Sequence, residues 1–506
     1  MAIKTIAIVG GGPSAVGAAK ALLKENCFYK IHIYERRCTT GGLWNYSNQA
    51  PLFEIPNVNS NLQISPEKVD IIKEDGSGNQ GPNHRFGAQY IWPSPVYDLL
   101  DTNVPKDIME YKGFKWPDDT PLFPLREEVL CYLQAYSREV EPYIKFGHFV
   151  YDVSQLQNNQ WKVSYRVVNE STGGGVTSDQ RFESSEVYDA VILAVGNYDV
   201  PFLPDLPYLK TWNEKFPGSI IHAKSFRHPK QFVNESDILV VGNSASANDI
   251  CYELATTLKC NIYKSKRSEN NLPSPPNEGV IVVPEIARFI PESQEIEFID
   301  QSRVGNVSMI IFATGYLKSF PFMKRINSSS KPLVKDNGTR VAGLYRQIIS
   351  YEHPGLAVIG LPRFVLPTRL SETQGAWLAR VFSGRINLPE KQTRAKWEEN
   401  RLNVTGPGKA FHDLKFPCDV LYSHELNREI WKGGLDHGLI PISWNQDQTK
   451  IRGGIKEIKE SYIKYKRERG KKATTIKQLE ENAGLVLPPL EAGIFDFSFI
   501  AGEHAM

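Results

Sequence analysis

Apolar and polar positions divide the chain into recurring strand-then-helix units. Residues 6–9 are four consecutive apolar residues, followed by Gly10, Gly11 and Gly12 and a small-residue run over 15–22. A short, unbroken apolar run fits a strand buried on both faces, as in a parallel sheet. The pattern predicts strand, glycine turn and helix, with a second strand over 31–34. It returns later as an apolar run at 238–241, a small-residue turn over 242–247, a helix to about 258 and a strand at 261–263. Further buried strands are expected at 189–193, 307–312 and 356–361. A helical period over 125–143 places Val129, Leu130, Leu133 and Tyr136 on one side. Residues 149–153, 161–168 and 181–187 read as an antiparallel meander, with a polar turn at 171–175 between the last two. Residues 45–123 carry little period and read as a long connection, a kind of segment that is often functional.

Toward the C-terminus, Ser371 and Gln374 have capping-box spacing. They predict a helix that begins there and runs through Trp377, Leu378, Val381 and Phe382. Residues 390–506 alternate helical and loop patterns, and the basic run 456–472 reads as a helix with a solvated, charged face.

Two strands end alike: Ala194-Val195-Gly196-Asn197-Tyr198 and Ala313-Thr314-Gly315-Tyr316. They flank the second strand–turn–helix unit, and a proline-rich link at 201–204 follows the first. The expected fold class is therefore α/β, with two dinucleotide-binding Rossmann-like domains, the second inserted into the first. The expected boundaries are 1–205 and 321–395 for the two parts of the first domain, 206–320 for the inserted domain, and 396–506 for a mostly helical C-terminal extension.

The turns carry candidate chemistry. Residues without a Cβ let backbone approach a pyrophosphate, and the following helix aims free N–H groups and its positive dipole end at it. Gly10, Gly11, Gly12, Pro13 and Ser14 form such a turn, with Ala15 at the position of the third glycine. Glu35 lies 20 residues after Ala15, where a carboxylate takes the ribose hydroxyls. This site suits FAD. Arg36 follows it, and a second glycine turn with Gly42, Leu43 and Trp44 is placed to close over the flavin side. In the second unit Gly242, Asn243, Ser244, Ala245 and Ser246 form the turn, with serines whose hydroxyls donate to phosphate. Its ribose position, 20 residues after Ala247, is Arg267, next to Lys266. Cations there favour a 2′-phosphate, hence NADPH. Gly196, Thr314 and Gly315 mark the two crossings. Gln374, at the expected helix start, would face the pyrimidine end of a flavin.

Composition narrows the picture. The 506 residues are 41% apolar and 23% charged, with a net charge of +2, so no nucleic-acid partner is expected. The six cysteines form no CxxC pair and no zinc spacing, which points to a reducing compartment, no bound metal and no dithiol–disulfide reductase. No cleavable leader and no apolar run of transmembrane length is seen, so a cytoplasmic protein is expected, free or at the surface of the endoplasmic reticulum.

The motifs resemble those of the flavin-containing monooxygenases, most closely the soluble fungal members. The matching residues are GGGPSA at 10–15, GGLWNY at 41–46, SPVYDLLDTN at 94–103 and FATGY at 312–316. FPGSIIHAKSF at 216–226 is similar to the family fingerprint FxGxxxHxxx(Y/F). The resemblance covers roughly residues 3–390. It implies that NADPH reduces FAD, that NADP stays bound, and that dioxygen adds to give a flavin hydroperoxide. One oxygen atom then passes to soft nucleophilic sulfur or nitrogen in a small molecule such as a thiol, sulfide or amine. It also implies that Asn103 hydrogen-bonds at the flavin edge. His222 marks the linker between domains, with direct catalysis and a conformational role both open. Rival readings are a Baeyer–Villiger monooxygenase, whose fingerprint ends in tryptophan where this chain has Phe226, an N-hydroxylase, and a non-oxygenating NADPH oxidase or reductase. A homodimer is compatible with the sequence.

Overall fold

The computed structural model describes residues 3–47, 67–71, 86–92, 94–167, 183–269 and 278–490. The turn expected at 171–175 lies outside the described residues, as do positions 181–182 of the third meander strand.

Two parallel sheets organise the molecule. The first has seven strands in the order Leu344–Tyr345, Ile349–Ser350, Leu356–Val358, Ala190–Leu193, Thr5–Val9, Lys30–Tyr34, Ile144–Lys145. The last five run parallel, and the first two are joined antiparallel at one edge. The apolar run of the first strand is unbroken because both its faces are covered. Ile6 and Ile8 pack with the helices Pro13–Glu25 and Pro367–Ser383, while Ala7 and Val9 pack with the meander. A fully buried isoleucine such as Ile8 contributes about 1.5–3 kcal/mol. The meander comprises His148–Gln155, Trp161–Val167 and Glu183–Tyr188, paired antiparallel as expected.

The second sheet has the order Ile220–His222, Val307–Phe312, Asp237–Val241, Asn261–Ser265, Val280–Val283, all parallel. All of its strands lie in the chain between Leu193 and Leu344, so the second sheet is nested within the sequence of the first. The chain enters and leaves it side by side: Val200 pairs with Leu317, and Pro201 with Tyr316, in a two-stranded antiparallel ribbon.

Three expectations need correction. The helix expected from Ser371 begins at Pro367, with proline in its first turn. Ser371 lies inside it, and its hydroxyl donates to the Thr368 carbonyl rather than capping. The helix crosses Pro13–Glu25 at small residues: a Cβ at Gly375 would come 2.7 Å from Ala18 Cα, and one at Gly17 would collide with Ser371. The featureless stretch 45–123 contains a strand pair, Glu67–Ile71 with Phe86–Ile91. The basic run 456–472 is helical over Ile455–Arg469, but only one side is solvated. Ile458, Tyr462 and Tyr465 are buried with Leu122, Phe123 and Leu479, so the C-terminal segment is packed onto the body of the protein.

Candidate active site

The first glycine turn is half-buried and braced by neighbouring backbone and by one buried acid. Gly10 has φ +106°, and its N–H donates to the Tyr34 carbonyl at 2.8 Å. A Cβ there would lie 2.5 Å from the Ala194 carbonyl oxygen. Glu35 is buried at the end of its strand. Its carboxylate accepts from the Gly11 N–H at 2.5 Å and the Arg37 N–H at 2.8 Å, so one acid fixes both the turn and the strand end. Gly42, in the short helix Gly42–Trp44, faces Gly12: a Cβ on Gly42 would lie 3.0 Å from Gly12 Cα. The Leu43 carbonyl accepts from the Ser94 hydroxyl, and Trp44 packs against the core. Pro13 occupies the first position of the helix, where its missing N–H costs nothing. Arg36 turns away from the turn, donates to both carboxylate oxygens of Asp199 at 2.9 Å and stacks over Trp92 at 4.5 Å.

Gly360, which the sequence reading passed over, completes this cradle. It has φ +83°, and a Cβ there would lie 2.5 Å from Ser14 Oγ. Its N–H donates to Gln374 Oε1 at 2.9 Å, and its carbonyl accepts from Asn197 Nδ2 at 2.8 Å, one residue beyond Gly196. Gln374 is fully buried, and its amide nitrogen donates to the Tyr422 hydroxyl at 2.9 Å. It sits in the second turn of its helix and reaches the cradle through Gly360. The legible signal was an apolar strand ending in Ile359-Gly360, like the two crossings.

The second turn repeats the opening move. Gly242 has φ +137°, donates to the Ser265 carbonyl at 2.9 Å, and would place a Cβ 2.7 Å from the Ala313 carbonyl oxygen. Asn243 donates to the Ser268 carbonyl at 2.8 Å. Ser244 stands at the N-cap position of the helix Ala245–Thr257 without a side-chain capping bond, and Ser244 and Ser246 are exposed. The strand register corrects the ribose position. Val9 pairs with Tyr34 and Val241 with Ser265, so the residue standing where Glu35 stands is Lys266, with Arg267 one further on. Lys266 is half-buried and paired with Glu269 at 2.5 Å, whereas Arg267 is exposed.

The crossings join the two units. His222 is fully buried; its Nδ1 accepts from the Lys224 N–H at 3.1 Å, so Nε2 carries the proton and donates to the Gly315 carbonyl at 3.0 Å. Burial pushes the imidazole down to about 3. Gly315 also accepts from the Phe202 N–H, and the Thr314 hydroxyl donates to the Phe202 carbonyl. Lys409 donates to the Thr314 carbonyl at 3.2 Å; burial, with Arg363 and Arg267 close by, lowers it to about 8.

Asn103 lies where the loop 94–103 meets the second unit. Its carbonyl oxygen Oδ1 is buried and without a hydrogen-bond partner. Asp249, which accepts from the Tyr97 hydroxyl at 2.7 Å, lies near the Asn103 side chain. Burial raises Asp249 to about 6, opposed by Lys459, Tyr97 and the Asn103 amide. Phe226, at the end of the fingerprint, is fully buried and meets Tyr97 edge-on at 5.7 Å.

Two mainly parallel sheets, each with a glycine turn opening a helix, define an α/β fold of the nucleotide-binding kind. A family model described as flavin-binding monooxygenase-like matches residues 93–270 and 262–403, and the chain belongs to that family. It is an FAD-containing, NADPH-dependent monooxygenase. The flavin-containing monooxygenase iboF of Amanita muscaria is 28% identical over 467 residues, covering 82% of this chain and 85% of that relative. The flavin-containing monooxygenase FMO GS-OX4 of Arabidopsis thaliana is 30% identical over 397 residues, covering 76% and 74%. Among solved structures, S-allyl-L-cysteine S-oxygenase from Allium sativum superimposes with a TM-score of 0.68 at 23% identity, over 96% of this chain and 99% of that one. An open structure of cyclohexanone monooxygenase gives 0.52 at 12% identity, over 85% and 98%. These two likenesses are likenesses of fold. Among the described residues no helix is long and apolar enough to cross a membrane.

The cradle fits the cofactors. Gly10, Gly42 and Gly360 have positive φ and stand too close to neighbouring atoms to carry a Cβ, so the turn is bare backbone, the helix Pro13–Glu25 presents its N-terminus, and Asn103 offers an unpartnered acceptor.

Proposed function

We propose that this protein transfers one oxygen atom from dioxygen to soft nucleophilic sulfur or nitrogen in small molecules such as thiols, sulfides and amines. In this reading residues 1–205 and 321–395 hold FAD, residues 206–320 hold NADPH, and 396–506 is a helical segment that packs behind them. The location is the cytoplasm. Gly10 to Ser14, Glu35, Gly42 and Gly360 hold the flavin nucleotide. Gly242 to Ser246, with Lys266 and Arg267, hold the nicotinamide nucleotide. Bound FAD and NADPH supply hydride transfer and the activation of dioxygen.

The observation that carries the reading is the buried, unpartnered Oδ1 of Asn103. A buried acceptor without a donor costs about 1–3 kcal/mol. A ring N–H placed against it removes that cost and is held in one orientation. His222, neutral and bonded to backbone through both ring nitrogens, holds the crossing strands together and serves as a positioning residue. The substrate therefore supplies its own nucleophilicity.

The test is turnover of the purified holoenzyme under ¹⁸O-labelled dioxygen with a sulfide, a tertiary amine and a ketone. One labelled atom in the sulfoxide or N-oxide supports the reading. A labelled ester from the ketone alone selects the Baeyer–Villiger alternative. Stoichiometric hydrogen peroxide with no labelled product selects an oxidase.

A further inference from the structure

We propose that Asn103 is set from two sides by residues outside the first nucleotide-binding unit. Lys459 of the C-terminal segment fixes its backbone, and Asp249 of the second unit fixes its amide. The proposal rests on the reading of Asn103 given above, and it makes the segment 396–506 a working part of the site.

Lys459 lies on the buried side of the helix Ile455–Arg469 and is 2% exposed. Its ammonium donates to the Asp101 carboxylate at 2.7 Å and to the Thr102 carbonyl at 2.8 Å. Those are the two residues immediately before Asn103. The ammonium also lies over the Phe123 ring, 4.4 Å from its centroid. Thr102 is held on its other side as well, its N–H donating to the Pro124 carbonyl at 2.9 Å and its hydroxyl to the Val104 carbonyl at 2.9 Å. A buried ammonium persists only when paired. Here the pairing acid and the second acceptor both belong to this loop, so the loop and the helix are fixed as one body.

Asp249 acts on the side chain. A carboxylate accepts hydrogen bonds, and an asparagine amide has one donating and one accepting end. Asp249 lies near the Asn103 side chain, and an acid favours the donating NH2 end over the accepting Oδ1, which is buried and unpartnered. Asp249 belongs to the helix opened by the second glycine turn, so the orientation of Asn103 follows the position of the second unit.

The test uses the holoenzyme and six variants: Lys459→Met, Lys459→Arg, Asp249→Asn, Asn103→Ala, the double variant Asp101→Asn/Lys459→Met and, as a surface control on the same helix, Lys464→Met. Backbone hydrogen exchange over 98–106, the visible spectrum of the bound flavin, and hydrogen peroxide released per NADPH are measured. Lys459→Met should speed exchange over 98–106 by about ten-fold or more, shift the flavin spectrum and raise the peroxide fraction, with Lys459→Arg recovering part of each. Asp249→Asn should leave exchange near wild type yet raise the peroxide fraction. The double variant Asp101→Asn/Lys459→Met removes both charges and serves if the single methionine variant does not fold. Exchange in Lys459→Met, or in the double variant, equal to that in Lys464→Met overturns the proposal. If Asn103→Ala leaves the peroxide fraction unchanged, the reading of Asn103 falls and the proposal with it. If Asn103→Ala uncouples while the Lys459 and Asp249 variants do not, the proposal alone falls.

Discussion

The two glycine turns start from the same backbone and end in opposite states of closure. Gly10 and Gly242 each donate to the last carbonyl of the neighbouring strand, at 2.8 and 2.9 Å. Each also abuts the carbonyl at the end of the strand on its other side, Ala194 or Ala313. From there they diverge. Gly11 is buried against Glu35, Gly12 faces Gly42, and Ser14 faces Gly360, so the first turn lies beneath a roof. In the second, Ser244 and Ser246 are exposed, and the acid at the strand end is replaced by Lys266. The turn geometry answers to phosphate. On the assignment proposed above, the roof accounts for a retained FAD and the open turn for an exchanging NADPH.

The strongest way to break this comparison is to place the same methyl group in both turns. Gly10→Ala puts a Cβ at φ +106° 2.5 Å from a carbonyl oxygen. Steric overlap and the left-handed backbone together should cost about 3–5 kcal/mol. The expected outcome is loss of bound FAD, read from the absorbance ratio of flavin to protein. Gly242→Ala meets almost the same obstacle at 2.7 Å but in an open turn. It should keep its FAD while weakening NADPH binding by about 2–3 kcal/mol. FAD retained in the first variant, or lost in both, would show that closure does not separate the two sites.

The link between the sites should show a pH signature. The folded protein holds His222 neutral, at about 3 against 6.5 for the free side chain. Its contribution is complete above pH 6.5 and is lost as the pH falls towards 3. At pH 5 the loss is about 2 kcal/mol. Melting curves of wild type and His222→Gln from pH 7 to 4.5 should converge on the acid side by that amount, and parallel curves would remove His222 as the source. The smallest expected effect is at the ribose position. Lys266→Ala should raise the KM for NADPH by about ten-fold, or about 1.4 kcal/mol, and leave that for NADH unchanged. An equal change for both nucleotides would assign Lys266 to the shared part of the ligand.

Much of this frame was legible because local chemistry dictates it. Both glycine turns, the matching strand ends at Ala194 and Ala313, and the meander follow from apolar runs and residues lacking a Cβ. The errors came where tertiary packing outranked a local signal. Ser371 and Gln374 have the spacing of a cap, but Pro367 upstream starts the helix, and both residues are buried inside it. Arg267 has the right distance in sequence from Ala247, yet pairing of Val241 with Ser265 brings Lys266 to the strand end. The charges of 456–472 masked Ile458, Tyr462 and Tyr465, which recur at helical spacing and carry Lys459 inward beside them. Asn103 was reached by motif, but Asp249 and Lys459, the residues proposed to set it, lie 146 and 356 positions away in the chain, beyond any local pattern.

The ribbon of Val200–Pro201 with Tyr316–Leu317 has an evolutionary consequence. It brings the two ends of the inserted unit to adjacent positions, so the unit needs only two junctions, a hydrogen-bonded pair apart, to be joined to a host. A segment with neighbouring ends can be exchanged between relatives without stretching either chain. On the assignment proposed above, nucleotide preference is carried on a transferable cassette, and recombination at this stalk would change the electron donor while leaving the flavin cradle intact.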